Sequence, residues 1–296
     1  MLKEVELKLS LGTVQFGVDY GVANQNGQVS LDDASSIIEF SRVCGINTID
    51  TAVGYGQSEQ RLGEIGVCDF DIVSKLPGIP DGCNDVRQWA LDVAIESLRR
   101  LKVDRLHGFL LHKPQELLGR DGKELYSALL QLKDEGLVEK IGISVYEPAE
   151  LDVLCTRFKI DQVQAPFSLV DRRMIDTGWM ARLSDSETEL HVRSVFLQGL
   201  LLMNPQDRPH KFRHWASCLA VYDNWLEQRH LDPLSACLGY PLSLEEVDKV
   251  VVGVDSLGHL KEIVSAAHTG YDDGYPAELA ISDPVLINPA RWTELS

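Results

Sequence analysis

Eight short runs of apolar and β-branched residues recur along the chain, with longer segments of mixed polarity between them. The runs read LSLGTVQFG, INTID, FDIVSKL, LHGFLLH, VEKIGISV, IDQVQAPF, LHVRSVFL and VDKVVVGV. Continuous apolar runs of this length are typical of strands that are covered on both faces, as in parallel sheets. The pattern therefore predicts eight buried parallel strands.

The segments between these runs carry the signals of helices. In SLDDASSIIEFSRVCG, Ser30 is a candidate N-cap, acidic residues occupy the first turn and Gly45 is a stop signal. Apolar residues at helical spacing also mark three further segments, DVRQWALDVAIESLRRL, DGKELYSALLQLKDEG and EPAELDVLCTRF. Strands that alternate with helices imply a parallel sheet joined by crossover helices.

Eight such strand–helix units fit a closed α/β fold, the (β/α)₈ TIM barrel. The alternative is an open doubly wound sheet, which usually carries a glycine-rich phosphate loop after its first strand. No G-x-G-x-x-G follows the first run, so the barrel is favoured. No linker-like change of composition interrupts the pattern, which predicts a single domain over residues 1–296. Residues 204–245, which include HKFRHWASCLAVYDNWLEQRH, are predicted to form a helical insertion over one barrel end.

Composition and charge exclude several classes of partner. The chain is 44% hydrophobic and 25% charged, which is typical of globular proteins, and its formal net charge of -17 argues against binding nucleic acid or an anionic membrane surface. Its six cysteines are scattered without metal-type spacing, as in reduced cytoplasmic proteins. The first ten residues, MLKEVELKLS, lack an apolar signal core, and no run is long enough to span a membrane. We therefore expect a cytoplasmic location.

Three of the predicted strands end in a side chain that can carry chemistry. Asp50 ends the second strand, Lys75 ends the third, His112 ends the fourth, and Tyr55 follows the second strand between two glycines. Active sites of such barrels lie where the strands end, at the C-terminal face. Each residue taken alone is more often structural, as when an aspartate caps a helix. Their joint occurrence at matching strand ends predicts a catalytic group.

The chemistry of these four side chains suits carbonyl reduction. A phenol has an unperturbed pKa near ~10, and a nearby ammonium group lowers that pKa because it favours the phenolate. With a carboxylate that holds the lysine, Tyr55 can act as general acid toward a carbonyl oxygen, and His112 can donate to the same oxygen. The hydride would come from a cofactor. A metal site would need several carboxylates or histidines to converge, as in H-x-H, so none is predicted.

The segment DTAVGYGQSEQRLGE resembles the signature segment of the aldo-keto reductase family, and the resemblance extends from LGTVQFG to the last barrel helix. It implies that Asp50, Tyr55, Lys75 and His112 are the catalytic tetrad, with Tyr55 as proton donor. It also implies NADP(H) as the cofactor, with NAD(H) possible, and a small-molecule carbonyl substrate. The residues that the resemblance places at the cofactor are Gly12, Thr13, Asp50, Ser144, Gln164, Arg193, Ser194, Phe196, Gln198, Gly199, Gly253, His259 and Glu262.

These positions divide along the length of the cofactor. By the same resemblance, Ser144 and Gln164 match residues that hold the nicotinamide carboxamide, and residues 194–199 run along the pyrophosphate. The segment VVGVDSLGHLKEI is similar to the one that holds the adenosine half. Gly12 and Thr13 lie where the first strand meets the nicotinamide side.

The chain departs from the family pattern in three places. Val145 replaces an asparagine that usually follows the fifth-strand serine, and Arg193 stands where an aromatic ring commonly stacks on the nicotinamide. A guanidinium plane can also stack on a π system. Gly253 and His259 occupy the places of the basic residues that bind the 2′-phosphate of NADPH. We therefore predict poor discrimination between NADPH and NADH.

Three functions are compatible with these residues. The first is NAD(P)H-dependent reduction of an aldehyde, ketone or keto-sugar to the alcohol. The second is a cofactor-binding regulatory barrel with little turnover, and the third is a barrel lyase or isomerase that acts on a phosphorylated substrate. Aromatic residues of the insertion are more often packing than ligand contacts, but the region expected near the substrate includes Val53, Phe167, Leu197, Trp215, Tyr222 and Trp225.

Overall fold

Eight parallel strands form a closed barrel in the computed structural model, which describes residues 7–24, 27–269 and 274–295. Residues 1–6, on which the expected lack of a signal core partly rests, lie outside the described residues. The strands are β1 Leu9–Gly12, β2 Thr48–Asp50, β3 Asp71–Leu76, β4 Leu106–Leu111, β5 Val138–Ser144, β6 Gln162–Pro166, β7 Glu189–Arg193 and β8 Lys249–Gly253. Each strand pairs with the next, and β8 pairs with β1. The predicted (β/α)₈ barrel is confirmed.

Helices surround the barrel and connect its strands. They are α1 Val14–Gly17, α2 Leu31–Val43, α3 Ser58–Ile65, α4 Val86–Leu101, α5 Gly122–Asp134, α6 Ala149–Arg157, α7 Arg173–Asp176, α8 Trp179–Asp185, α9 Ala216–Arg229, α10 Pro233–Ser243, α11 Leu257–Thr269 and α12 Pro284–Ile287. Short 3₁₀ segments occupy Pro114–Leu118, Leu200–Leu202, Pro205–Asp207, His210–Trp215, Ala277–Leu279 and Pro289–Glu294. At the start of α2, Ser30 accepts a hydrogen bond from the backbone N–H of Asp33, as its N-cap role predicts.

The segment between β7 and β8 contains two of these helices. Within residues 204–245, α9 packs against His210–Trp215 and α10 packs against α11. Asp232 caps α10 by accepting from the backbone N–H of Ser235. None of the helices in the described ranges combines the length and the apolar character that crossing a bilayer requires.

The barrel register gathers the predicted site residues at one edge. Gly12 pairs with Asp50 on one side and with Gly253 on the other, and Ser144 pairs with Gln164. All of these residues lie at or near the carboxyl ends of their strands. Because parallel strands end at the same face, the fold alone brings these side chains together.

Candidate active site

A buried ion pair lies at the centre of this face. Lys75 Nζ donates to both carboxylate oxygens of Asp50 at 2.7 Å and to the Thr51 carbonyl oxygen at 3.0 Å. Gln164 Nε2 donates to Asp50 Oδ2 at 2.6 Å. Lys75 is fully buried and Asp50 is 4% exposed. An ammonium group has three N–H donors, and here each of them has an acceptor.

Tyr55 and His112 lie beside this pair. Tyr55 occupies a turn after β2, where its backbone N–H donates to the Ala52 carbonyl oxygen and its own carbonyl accepts from Ser58. His112 directly follows β4. The two rings meet edge to face, with centroids 5.8 Å apart, and Lys75 Nζ lies 5.3 Å from the centroid of the Tyr55 ring. The structure therefore brings the four predicted catalytic side chains into one cluster.

The electrostatics of Tyr55 differ from the expectation that Lys75 lowers its pKa. Burial raises the pKa of the Tyr55 phenol, the Asp50 carboxylate raises it further, and the Arg193 guanidinium lowers it. The reason is that Lys75 forms a close ion pair with Asp50, so the field of the ammonium is largely cancelled. The phenol is therefore held in its protonated form, which is the form that a proton donor needs.

His112 is held as a neutral imidazole. Burial lowers its pKa from 6.5 to about 4, and the positive charge of Lys75 lowers it as well. A neutral imidazole carries one N–H donor, which can point at a substrate oxygen without adding a charge. His112 thus suits a role in orienting a carbonyl group at any pH above about 4.

Glycines fix the turn that carries Tyr55. A Cβ on Gly17, the last residue of α1, would lie 1.6 Å from the carbonyl oxygen of Tyr55. Gly56 has a φ of 55°, and a Cβ there would lie 2.5 Å from the Gly17 carbonyl oxygen. The turn therefore packs backbone against backbone on α1, and only residues without a Cβ allow this approach.

Replacing Gly17 with alanine should displace Tyr55 and lower turnover. A shift of about 1 Å at a catalytic group can cost roughly 10²-fold, so we expect a loss of about that order with the cofactor affinity retained. Gly54→Ala is the matched control, because a Cβ at Gly54 meets nothing within 4 Å. Steady-state kinetics of the two variants give the comparison. Equal activity of both variants would show that the position of the turn does not matter.

A cleft of about 500 Å³ extends from this cluster across the face of the barrel. Every predicted cofactor residue lines it, as do Tyr55 and His112, whereas Lys75 lies beneath it against Asp50. The part of the chain that the structure describes has no group of three or more His, Cys, Asp and Glu side chains placed to hold a metal ion.

The loop after β7 follows one wall of the cleft. Ser194, Leu197, Gln198 and Gly199 all have positive φ angles, between 45° and 91°. Among the described residues, the backbone N–H groups of Phe196 and Gln198 have no hydrogen-bond acceptor. Backbone donors presented in this way form concavities that bind anions, so the loop fits the pyrophosphate of a dinucleotide.

The end of the cleft beside Tyr55 and His112, here called the catalytic end, offers hydrogen-bonding groups for the carboxamide of a nicotinamide ring. Gln164 uses its nitrogen on Asp50, which leaves its carbonyl oxygen for an amide N–H. Ser144 lines the cleft beside it. Arg193 donates to the Val145 carbonyl oxygen at 3.0 Å, and its guanidinium carbon lies 4.5 Å from the centroid of the Tyr146 ring. The Val145 side chain itself is fully buried and contributes no polar group here.

The opposite end of the cleft is acidic. Its charged or titratable lining groups are Asp255, His259 and Glu262, next to Gly253. His259 Nδ1 lies 4.0 Å from Asp255 Oδ2, and burial raises the pKa of the Asp255 carboxyl group. No lysine or arginine of the described residues lines this end.

Sequence reasoning missed two aromatic residues of the cleft, Tyr20 and Tyr146. Tyr20 lies in the loop after α1, away from any strand end, whereas Tyr146 lies just after the end of β5, a position that could have marked it. The contact of Tyr146 with Arg193 is visible only in three dimensions. Gln198 Nε2 donates to the Tyr20 hydroxyl at 3.1 Å, which ties the loop after α1 to the loop after β7.

The residues expected near the substrate do not line this cleft, and most of them are core. Phe167 packs on Tyr240, Tyr222 donates to the Leu201 carbonyl oxygen and Trp215 donates to Asp283. All six residues that were expected near the substrate lie outside the lining of the cleft: Val53, Phe167, Leu197, Trp215, Tyr222 and Trp225.

Comparison with known proteins identifies the chain as an oxidoreductase. It matches the Aldo/keto reductase family over residues 8–280 and therefore belongs to that family, whose members use nicotinamide cofactors. The uncharacterized oxidoreductase YqkF of Bacillus subtilis (strain 168) is 24% identical over 282 residues, covering 88% of this chain and 91% of that protein. The NADH-specific methylglyoxal reductase of Escherichia coli (strain K12) is 26% identical over 222 residues, covering 66% and 65%.

A solved structure supports the fold in the same way. The holo form of aldo-keto reductase AKR11C1 from Bacillus halodurans has a TM-score of 0.72 at 21% identity, and the match covers 98% of this chain and 92% of that one.

Proposed function

We propose that the protein reduces an aldehyde, ketone or keto-sugar to the alcohol with NADPH or NADH, and that Tyr55 donates the proton. The observation that carries this proposal is the position of a protonated phenol and a neutral imidazole at the end of a cleft that fits a dinucleotide. Family membership supports an oxidoreductase over a lyase or isomerase. When bound, the cofactor supplies a hydride to the carbonyl carbon.

Each residue of the cluster has a part in this reaction. Tyr55 gives its proton to the carbonyl oxygen as negative charge develops there. His112 donates a hydrogen bond to the same oxygen and orients it. Lys75 and Asp50 form a buried ion pair with no net charge beneath the phenol and support its position. Asp50 also accepts a hydrogen bond from Gln164 and so positions Gln164 for the cofactor amide.

Turnover of simple carbonyl compounds tests the proposal. Purified protein with NADPH or NADH should consume the cofactor when methylglyoxal, an aromatic aldehyde or a keto-sugar is added, with one alcohol formed per cofactor oxidised. A protein that binds the cofactor tightly but forms no alcohol from any carbonyl in the panel would instead be a regulatory barrel.

We further expect poor discrimination between NADPH and NADH. A 2′-phosphate at the acidic end of the cleft would meet Asp255 and Glu262, and among the described residues His259 is the basic side chain that lines this end. One cation–phosphate contact is worth about 1 kcal/mol in water and up to ~4 kcal/mol at an effective dielectric of 20, and ~1.4 kcal/mol is tenfold in affinity. His259→Arg should therefore tighten NADPH binding about tenfold or more and leave NADH binding unchanged.

Fluorescence titrations with both cofactors measure this. The wild type should bind NADPH and NADH with similar affinity, because no lysine or arginine of the described residues lines the end of the cleft assigned to the 2′-phosphate. Glu262→Gln is a matched variant that removes a repulsion without adding a cation. A strong preference of the wild type for NADPH would contradict the assignment of this end of the cleft.

A further inference from the structure

Arg193 is a cation without a carboxylate partner at the catalytic end of the cleft. It ends β7, is partly buried and lines the cleft with Tyr55 and His112. Among the described residues, no Asp or Glu oxygen lies within 4.0 Å of its guanidinium nitrogens. Arg208, by contrast, is held by both oxygens of Asp223. Arg193 is therefore charged and held in place without being neutralised.

The contacts of Arg193 fix its position but leave donors available. Nη2 donates to the Val145 carbonyl oxygen at 3.0 Å, Nη1 donates to the Ser194 hydroxyl at 3.3 Å, and the guanidinium carbon lies 4.5 Å from the Tyr146 ring centroid. A guanidinium group has five N–H donors, and two of them are used here. The remaining donors and the planar shape suit an anion with two oxygens, such as a carboxylate.

The charges around the catalytic end also favour an anion. Asp50 and Lys75 neutralise each other, and His112 is neutral above about pH 4, so Arg193 supplies the net charge there. The other two acidic residues that line the cleft, Asp255 and Glu262, lie at the opposite end. The catalytic end is thus positive although the whole chain carries a formal charge of -17.

We propose that Arg193 binds an anionic group of the substrate, so that the preferred substrates are carbonyl compounds that carry a carboxylate or phosphate close to the reacting carbon. This inference rests on the proposed reductase function. Arg193 would then determine which carbonyl compounds are reduced.

Matched aldehydes test the proposal. Benzaldehydes with a carboxylate at the 3- or 4-position are compared with the corresponding nitrobenzaldehydes, which have a similar shape and no net charge. The wild type should show the higher kcat/KM for the carboxylate at one position or both. In Arg193→Gln, the ratio of carboxylate to nitro kcat/KM should fall by about 10- to 100-fold, mostly through KM, as expected for a charged hydrogen bond. Arg193→Lys should keep part of the ratio.

Controls separate this role from others. Arg182→Gln, which removes an exposed arginine stacked on Trp179, should leave the ratio unchanged. The competing role for Arg193 is contact with the cofactor, because its position in the family pattern faces the nicotinamide ring. If Arg193→Gln weakens NADH and NADPH binding and lowers kcat/KM for the carboxylate and the nitro aldehydes by the same factor, Arg193 binds the cofactor and the proposal is wrong.

The outcomes also separate the proposal from the reductase function on which it rests. Reduction of the nitrobenzaldehydes without any preference for the carboxylates would overturn the anion site and leave the reductase function standing. If neither aldehyde is reduced, the reductase function fails, and calorimetry with benzoate and bound cofactor tests the anion site directly. Benzoate binding that is lost in Arg193→Gln supports the site, and equal or absent binding in both proteins overturns it.

Discussion

Replacing Tyr55 with phenylalanine should lower the rate of carbonyl reduction by about 10²- to 10⁴-fold, the usual range for loss of a general acid. The substitution removes the proton and keeps the ring that contacts His112 edge to face. Cofactor affinity should change little, because the phenol faces the substrate carbonyl in the proposed reaction. Steady-state kinetics with the best substrate and a fluorescence titration of the cofactor measure the two quantities.

Tyr126→Phe is the matched control for this substitution. Its hydroxyl donates to the Lys159 carbonyl oxygen, away from the cleft, so its removal should leave turnover unchanged. The raised pKa of Tyr55 adds a second check: reduction by the wild type should not decline between about pH 6 and 9 through ionisation of this phenol. A Tyr55→Phe variant with most of its activity would remove Tyr55 from the proton transfer.

The barrel was predictable because its signals are local and repeated. Each apolar run is a strand covered on both faces, and each following segment has helical spacing, so eight units close into one fold. The meeting of Asp50, Lys75 and His112 also follows from sequence, since all three stand at strand ends. The position of a residue at a strand end fixes where its Cα atom lies on the barrel face.

What the sequence could not give depends on packing between distant segments. The direction of the pKa shift of Tyr55 depends on which acceptors Lys75 binds. All three of its N–H groups donate to Asp50 and to the Thr51 carbonyl oxygen. Tyr146 reaches the cleft from a loop, and only the structure shows that its ring stacks on the Arg193 guanidinium group. Trp215 was expected near the substrate for the same reason. Its place in the sequence does not reveal that its indole N–H donates to Asp283 in the C-terminal segment.

Replacing Lys75 with methionine should damage both stability and catalysis. The Asp50 carboxylate would stay buried with Gln164 as its remaining side-chain donor. Removal of one partner of a buried ion pair typically costs about 3–5 kcal/mol in the free energy of unfolding, because the other charge is left uncompensated. Urea denaturation measures this loss. Lys123→Met, at an exposed position of α5, is the control and should cost little.

The same substitution should raise the pKa of Tyr55 further, because the negative charge of Asp50 would no longer be cancelled. The alkaline limb of the pH profile for alcohol oxidation should therefore move to higher pH. The double variant Asp50→Asn with Lys75→Met removes both charges, so it should recover part of the stability and reverse the shift of the profile without restoring full turnover. If Lys75→Met loses stability while its pH profile matches that of the wild type, the ion pair supports the fold only, and its electrostatic link to Tyr55 is refuted.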